Sequence, residues 1–141
     1  MQLDKFTDYG LRILMTLAVL EPERVSVASI AKRFRVSEHH LSKVATELAK
    51  GGFVRSERGR SGGLRLAKSA GEISIGAVVR WLKQDEPIVE CFATGNCVIT
   101  PACGLRAPLE EAQEAFFKAM DRYSLEEVVK RRVALEKLLT I

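Results

Sequence analysis

The chain has 141 residues, 47% hydrophobic and 28% charged, which suits one small folded domain with appended elements and a real core. Its net charge of +4 is uneven: residues 1–83 hold 15 Lys or Arg against 8 Asp or Glu, while residues 84–141 hold 7 against 10, so a polyanion is expected on the first half. A membrane span is excluded, since no run approaches the roughly 18 uncharged apolar residues it needs. Met1-Gln2-Leu3-Asp4-Lys5 carries acid and base where a signal peptide needs an apolar run, so a cytosolic protein is expected.

In chain order, Leu3, Phe6, Leu11, Leu14, Leu17 and Ala18 recur at spacings that share one helical face, predicting a first helix from Leu3 to Leu20 ended by Pro22. Ser26 is an N-cap for a short helix with Ile30, Ala31 and Phe34 inward. Ser37 caps the next, Glu38 to Lys50, whose inner face is Leu41, Val44, Ala45 and Leu48 and which Gly51-Gly52 terminate. Two helices joined by a tight turn at Arg35-Val36 form a helix-turn-helix pattern, the second helix entering the major groove. Arg35 stands where Gly often appears, so a longer turn, or one without a positive φ there, is expected.

Phe53 to Glu57 and Leu64 to Leu66 alternate apolar with polar, and Arg58-Gly59-Arg60-Ser61-Gly62-Gly63 lies between them. That predicts a hairpin with a basic, glycine-rich tip, the wing of a winged helix. Arg58 and Arg60 can bind phosphate or reach into a minor groove. A nucleotide-binding loop is the rival use of these glycines, but it needs Lys followed by Ser or Thr after the last Gly, and that pair is missing. The predicted DNA contacts are Ser37, His39, His40 and Lys43 on the recognition helix and Arg58 and Arg60 on the wing.

Ser74 opens a helix from Ile75 to about Lys83 that closes the winged-helix core. The three cysteines, Cys91, Cys97 and Cys103, all follow in one stretch at five-residue gaps, with turn-formers Thr94-Gly95-Asn96 and Thr100-Pro101 between them. A loop that curls back and brings three thiolates toward one point is expected, a metal-cluster loop. Buried apolar cysteines are the bland alternative, and an odd count disfavours a disulfide framework. Structural zinc prefers two-residue gaps and four closed ligands, so a larger cluster suits this spacing better, with zinc or a thiol switch as the alternative. After Cys103 a long helix from Leu105 to Tyr123 carries Leu105, Leu109, Ala112, Phe116 and Met120 on one stripe, and Ser124-Leu125-Glu126-Glu127 opens a last helix as a capping box. The stripe is expected to bury itself in a homodimer matched to a two-fold operator, the alternative being that both helices fold back onto their own domain.

The fold class expected is therefore mainly α with a small β-hairpin wing: a winged helix-turn-helix plus a long dimerisation helix. The divisions are 1–83 for DNA binding, 84–104 for the cysteine loop and 105–141 for dimerisation. No nucleophile–base pair or paired acid stands in a catalytic context, so no enzyme activity is expected.

Phe6-Thr7-Asp8-Tyr9-Gly10-Leu11-Arg12, Val36-Ser37, His40-Leu41, Lys43-Val44, Arg58-Gly59, Gly62-Gly63-Leu64 and the three cysteines resemble the Rrf-type winged-helix transcription regulators that carry an iron-sulfur cluster. The resemblance spans nearly the whole chain, and the run Cys97 to Leu105 is most similar to the nitric-oxide-sensing repressors of that family. The family's iron-sulfur-assembly regulator has a His three residues after its third Cys, where this chain has Arg106. The resemblance implies a [4Fe-4S] cluster, with [2Fe-2S] as the alternative, held by Cys91, Cys97 and Cys103 and completed by Asp8 from the other subunit. Glu90 and Asp4 are the substitutes for Asp8. It also implies nitric oxide as the signal. His39 departs from the Asn common in the family, which implies a different operator preference. An electron-transfer iron-sulfur protein is a poorer reading, since more than half the chain forms a basic winged helix.

Overall fold

The computed structural model describes residues 1–84 and 86–140. Helix α1, Lys5–Leu20, starts two residues later than its apolar stripe suggests, because the Asp4 carboxylate turns back to accept the Thr7 backbone N–H at 2.8 Å and the Thr7 hydroxyl at 2.9 Å. Ile13, Leu14, Leu17, Ala18 and Val19 of α1 form the centre of the core. Helix α2, Val27–Phe34, is capped by Ser26, and α3, Glu38–Lys50, by Ser37. Leu41, Val44, Ala45 and Leu48 of α3 face inward, as expected.

Between α2 and α3 the backbone differs from expectation. Arg35 takes the left-handed conformation, with φ 56° and ψ 45°, despite its β-carbon. The cost of about 1–2 kcal/mol for such a residue is offset because the Val36 N–H then reaches the Ala31 carbonyl at 3.0 Å. The turn stays tight and half-buries Val36.

Strands β1, Val54–Glu57, and β2, Gly63–Leu66, pair antiparallel, with Val54 opposite Leu66 and Glu57 opposite Gly63. Val25 adds one more rung by exchanging two backbone hydrogen bonds with Leu64, at 2.8 and 3.0 Å. Glu57 receives both Arg24 at 2.6 Å and Arg65 at 3.4 Å, which ties the base of the wing to the segment before α2.

Helix α4, Ile75–Lys83, closes the core with Ile75, Val78, Val79 and Leu82. Helix α5 is Glu90–Thr94, and α6, Arg106–Asp121, packs along α4. Gly76 permits that approach: a β-carbon there would lie 2.6 Å from the Asp121 nitrogen and 2.7 Å from its Cα. Arg80 adds ion pairs to Asp121 at 2.8 Å and Glu114 at 3.4 Å and lies over the Phe117 ring. The hydrogen bonds that Arg80 donates to the Asp121 and Glu114 carboxylates raise its pKa further. Beyond α6 the single expected helix is two, α7, Leu125–Val128, and α8, Arg132–Leu139. Both pack back against α1, burying Leu125, Val129 and Leu139. The Ser124–Glu127 capping box forms as expected.

Candidate nucleic-acid interface and cysteine segment

The recognition surface starts with the cap of α3. The Ser37 hydroxyl accepts the His40 N–H, so Ser37 sits at the exposed start of the helix and orients its first turn. His39, His40 and Lys43 are all exposed on the side away from the core. Ser42 and Thr46, which the sequence reading left out, are exposed on the same helix, and the Thr46 hydroxyl donates to the Ser42 carbonyl at 2.9 Å. Their signal was available: three- and four-residue steps link His39, Ser42, Lys43 and Thr46. Lys32, Arg33 and Arg35 add exposed positive charge beside that surface. At the wing, Arg58 and Arg60 are exposed around Gly59, whose φ of 113° makes the tip sharp. Glycine is also required at Gly62, where a β-carbon would press against the Glu57 and Gly59 carbonyls.

The cysteine segment has a different character. From Glu86 to Gly104 no residue is buried, so the core does not hold this stretch in shape. Cys91 is half-buried on α5, Cys97 exposed, and Cys103 half-buried after a 3-10 turn at Thr100–Ala102; all three thiols are free. Val98 and Ile99 between them are exposed. Among the described residues no three His, Cys, Asp or Glu side chains converge closely enough to hold a metal ion. The segment thus collects the thiols without bringing them to one point, in contrast to the expected curl. Thiols have no attraction for one another, and a stretch without core contacts has no other reason to close. The donor set still fits an iron-sulfur cluster: three unpaired soft ligands on a chain free to fold around it.

Asp8, the carboxylate implied as fourth ligand, lies on the first turns of α1. There Arg12 holds it through two contacts, Nε at 3.1 Å and an Nη at 2.7 Å. Arg12 is itself placed over the Tyr9 and Phe34 rings. Of the two substitutes, Asp4 is occupied by its capping bonds and by Lys83 at 3.1 Å. Burial pushes the Asp4 carboxyl up, but the bonds from Thr7 and Lys83 outweigh it and hold the pKa below the ordinary value. Glu90 is exposed beside Cys91 on α5.

A winged helix whose exposed recognition helix is flanked by basic residues of α2, the turn and the wing, with a separate cysteine-bearing segment, defines a DNA-binding regulator of the helix-turn-helix class. The Rrf2 family, described as iron-dependent transcriptional regulator, matches residues 3–131, and the chain belongs to that family. It is similar to the HTH-type transcriptional regulator NsrR of Geobacillus kaustophilus (strain HTA426), 49% identical over 142 residues that cover 99% of this chain and 97% of that one. NsrR of Bacillus subtilis (strain 168) is 42% identical over 142 residues, with the same coverage of 99% and 97%. Among solved structures, CymR, the global cysteine regulator of B. subtilis, matches at TM-score 0.73 and 26% identity, covering 93% of this chain and 98% of that one. T. potens IscR matches at TM-score 0.73, covering 93% and 88%, and at 24% identity that likeness is one of fold. The chain is thus a transcription regulator, as are the relatives it matches. Among the described residues no helix is long and apolar enough to cross a membrane.

Proposed function

We propose that this regulator is a cytosolic homodimeric repressor that binds a double-stranded operator and senses nitric oxide through an iron-sulfur cluster of the four-iron type. Cys91, Cys97 and Cys103 hold the cluster and Asp8 completes it across the dimer. The observation that carries the reading is the segment from Glu86 to Gly104: it has no buried residue, yet it holds every cysteine of the chain. Such a stretch needs an organiser other than the core. The NsrR relatives at 49% and 42% identity support the same reading.

When bound, such a cluster supplies an iron held by oxygen rather than sulfur, a position open to a small diatomic ligand. The rest falls to the chain. As a ligand Asp8 would have to give up its ion pair with Arg12, and when unengaged its carboxylate would have Arg12 one turn away to pair with. Helix α1 packs against both α3 and α4, so a pull on its first turns reaches the recognition helix through the core rather than through a loop. Operator affinity then depends on whether Asp8 is engaged, and a coupling of about 1–3 kcal/mol suffices for regulation.

Anaerobic purification followed by iron, sulfide and absorption measurements tests the assignment. The parent is expected to carry iron and sulfide, and Cys91→Ala, Cys97→Ala or Cys103→Ala each to lose them. Stoichiometric iron and sulfide in any of the three variants would sink it. The exposed, free thiol of Cys97 favours one second reading, a zinc or thiol switch on the same segment, and zinc without sulfide in the parent is its signature.

A further inference from the structure

The cysteine segment leaves the core at the end of α4, and among the described residues the side-chain hydrogen bonds from that end to the recognition helix converge on Glu47. Trp81 is 41% exposed, yet its indole N–H donates to the Glu47 backbone carbonyl at 2.8 Å. Three residues on, Gln84 ends α4 in the left-handed conformation, φ 46° and ψ 48°, and its side-chain amide donates to the Glu47 carboxylate at 3.1 Å. Glu47 also holds Lys50 at 2.8 Å. The indole lies so close to the end of α3 that a β-carbon on Gly51 would come 2.8 Å from its nitrogen.

These bonds are not needed to keep α3 in the core, because Leu41, Val44 and Leu48 already do so from its other side. What they fix is how the last turn of α3 sits relative to the point where the chain departs toward Cys91. The next contacts grip other elements. Lys83 binds Asp4 at the start of α1 at 3.1 Å and Glu86 at 3.6 Å, and Gln113 of α6 donates to the Glu86 carbonyl at 3.3 Å. The base of the cysteine segment is therefore bonded to α3, α1 and α6 at once. Gln84 holds a left-handed backbone that is uncommon for a residue other than Gly, and this conformation is what aims its amide at Glu47.

We propose that Trp81 and Gln84, acting through Glu47, are the positioning residues that transmit the state of the cysteine segment to the recognition helix. The inference rests on the cluster reading above. Folding residues 91–103 around a cluster changes the direction in which the chain leaves Gln84, and the two bonds to Glu47 carry that change to the end of α3. Neither residue is among the proposed DNA contacts or cluster ligands.

The test uses the full chain as parent, Trp81→Phe, which keeps a ring and removes the N–H donor, and Gln84→Asn, which tolerates left-handed backbone with a shorter reach. Each is prepared with and without iron and sulfide. Two quantities are read: the ratio of operator affinities between the two states, and the difference in amide hydrogen exchange across Glu38–Lys50. The parent is expected to show a ratio of about tenfold and a clear exchange difference; in each variant the ratio is expected to fall to about twofold and the exchange difference to shrink with it, at unchanged iron per chain. A variant that keeps the parent's ratio and exchange difference overturns the proposal. A parent that binds iron and sulfide but shows equal affinities overturns cluster control and this link with it. A parent that takes up no iron fails earlier, at the cofactor reading, and the three outcomes are distinct.

Discussion

Asp4 does two jobs with one carboxylate, capping α1 through Thr7 and binding Lys83 at the other end of the domain. Asp4→Ala is expected to lower stability near neutral pH by about 0.5–2 kcal/mol, the usual cost of a lost N-cap, as measured by urea unfolding. Because the folded-state pKa lies below its ordinary value, the charged form is favoured in the native state. The contribution is therefore complete above about pH 4, near the unfolded value, and disappears as pH falls through the lower folded value. A parent–variant difference that grew on acidification would contradict this. Caps of this kind were legible in the sequence at Ser26, Ser37, Ser74 and Ser124, since a hydroxyl before an apolar run has one obvious local use. The left-handed Arg35 was not, because backbone preference argues against it and what offsets the cost is the bond from the Val36 N–H to the Ala31 carbonyl, which the sequence does not display. Nor were pairings such as Arg24 with Glu57, which are far apart in sequence and leave no periodic trace.

The helix-turn-helix and wing were readable as elements because each has its own period, 3.6 for α3 and 2 for the strands. The last helix was misread for the same reason. Leu125, Val129, Leu135 and Leu139 keep nearly helical phase across the break at residues 129–131, so periodicity alone cannot see that the axis turns. Val128, Val133 and Leu138, apolar residues of the same stretch, are exposed. The cysteine segment was readable by composition but not by shape. The division of labour between recognition helix and wing leads to distinct outcomes. Arg58→Ala with Arg60→Ala is expected to weaken binding to all sequences alike and to flatten the salt dependence by roughly 1–2 units of slope. Changes at His39, His40 or Lys43 are expected to alter which bases are preferred, with the salt slope changed less. Binding titrations of both sets over a salt series, on operator and mutated operator, separate the two, and identical responses would end the distinction.

A winged helix of this size reads one half-site, and two half-sites one helical turn apart need a second copy held at a fixed distance. We propose helix α6 as the element for this. Its 16 residues extend about 24 Å, none is buried, and its inner side is only half-covered by α4. Beside it lies an apolar groove of about 610 Å³, whose lining includes Leu3, Leu11, Ile88, Ala112, Phe116 and Met120. That groove joins the start of α1, which carries Asp8, to the helix that follows the cysteines, so a partner packed along α6 would also lie beside the proposed ligand. Ala112 is the residue to change, because it is exposed in the protomer and its replacement leaves the core of one chain intact. Ala112→Arg places a charge in the groove without touching α3 or the wing. It is expected to sediment as a monomer with unchanged helical content and to lose roughly a hundredfold or more in operator affinity, the loss of linkage between two half-site contacts. Binding to an isolated half-site is expected to stay near the parent's intrinsic value, since the recognition surface is untouched. A variant that remains dimeric and binds the full operator as the parent does would move the dimer interface away from α6, toward the exposed Val98-Ile99 of the cysteine segment or the outer side of α8.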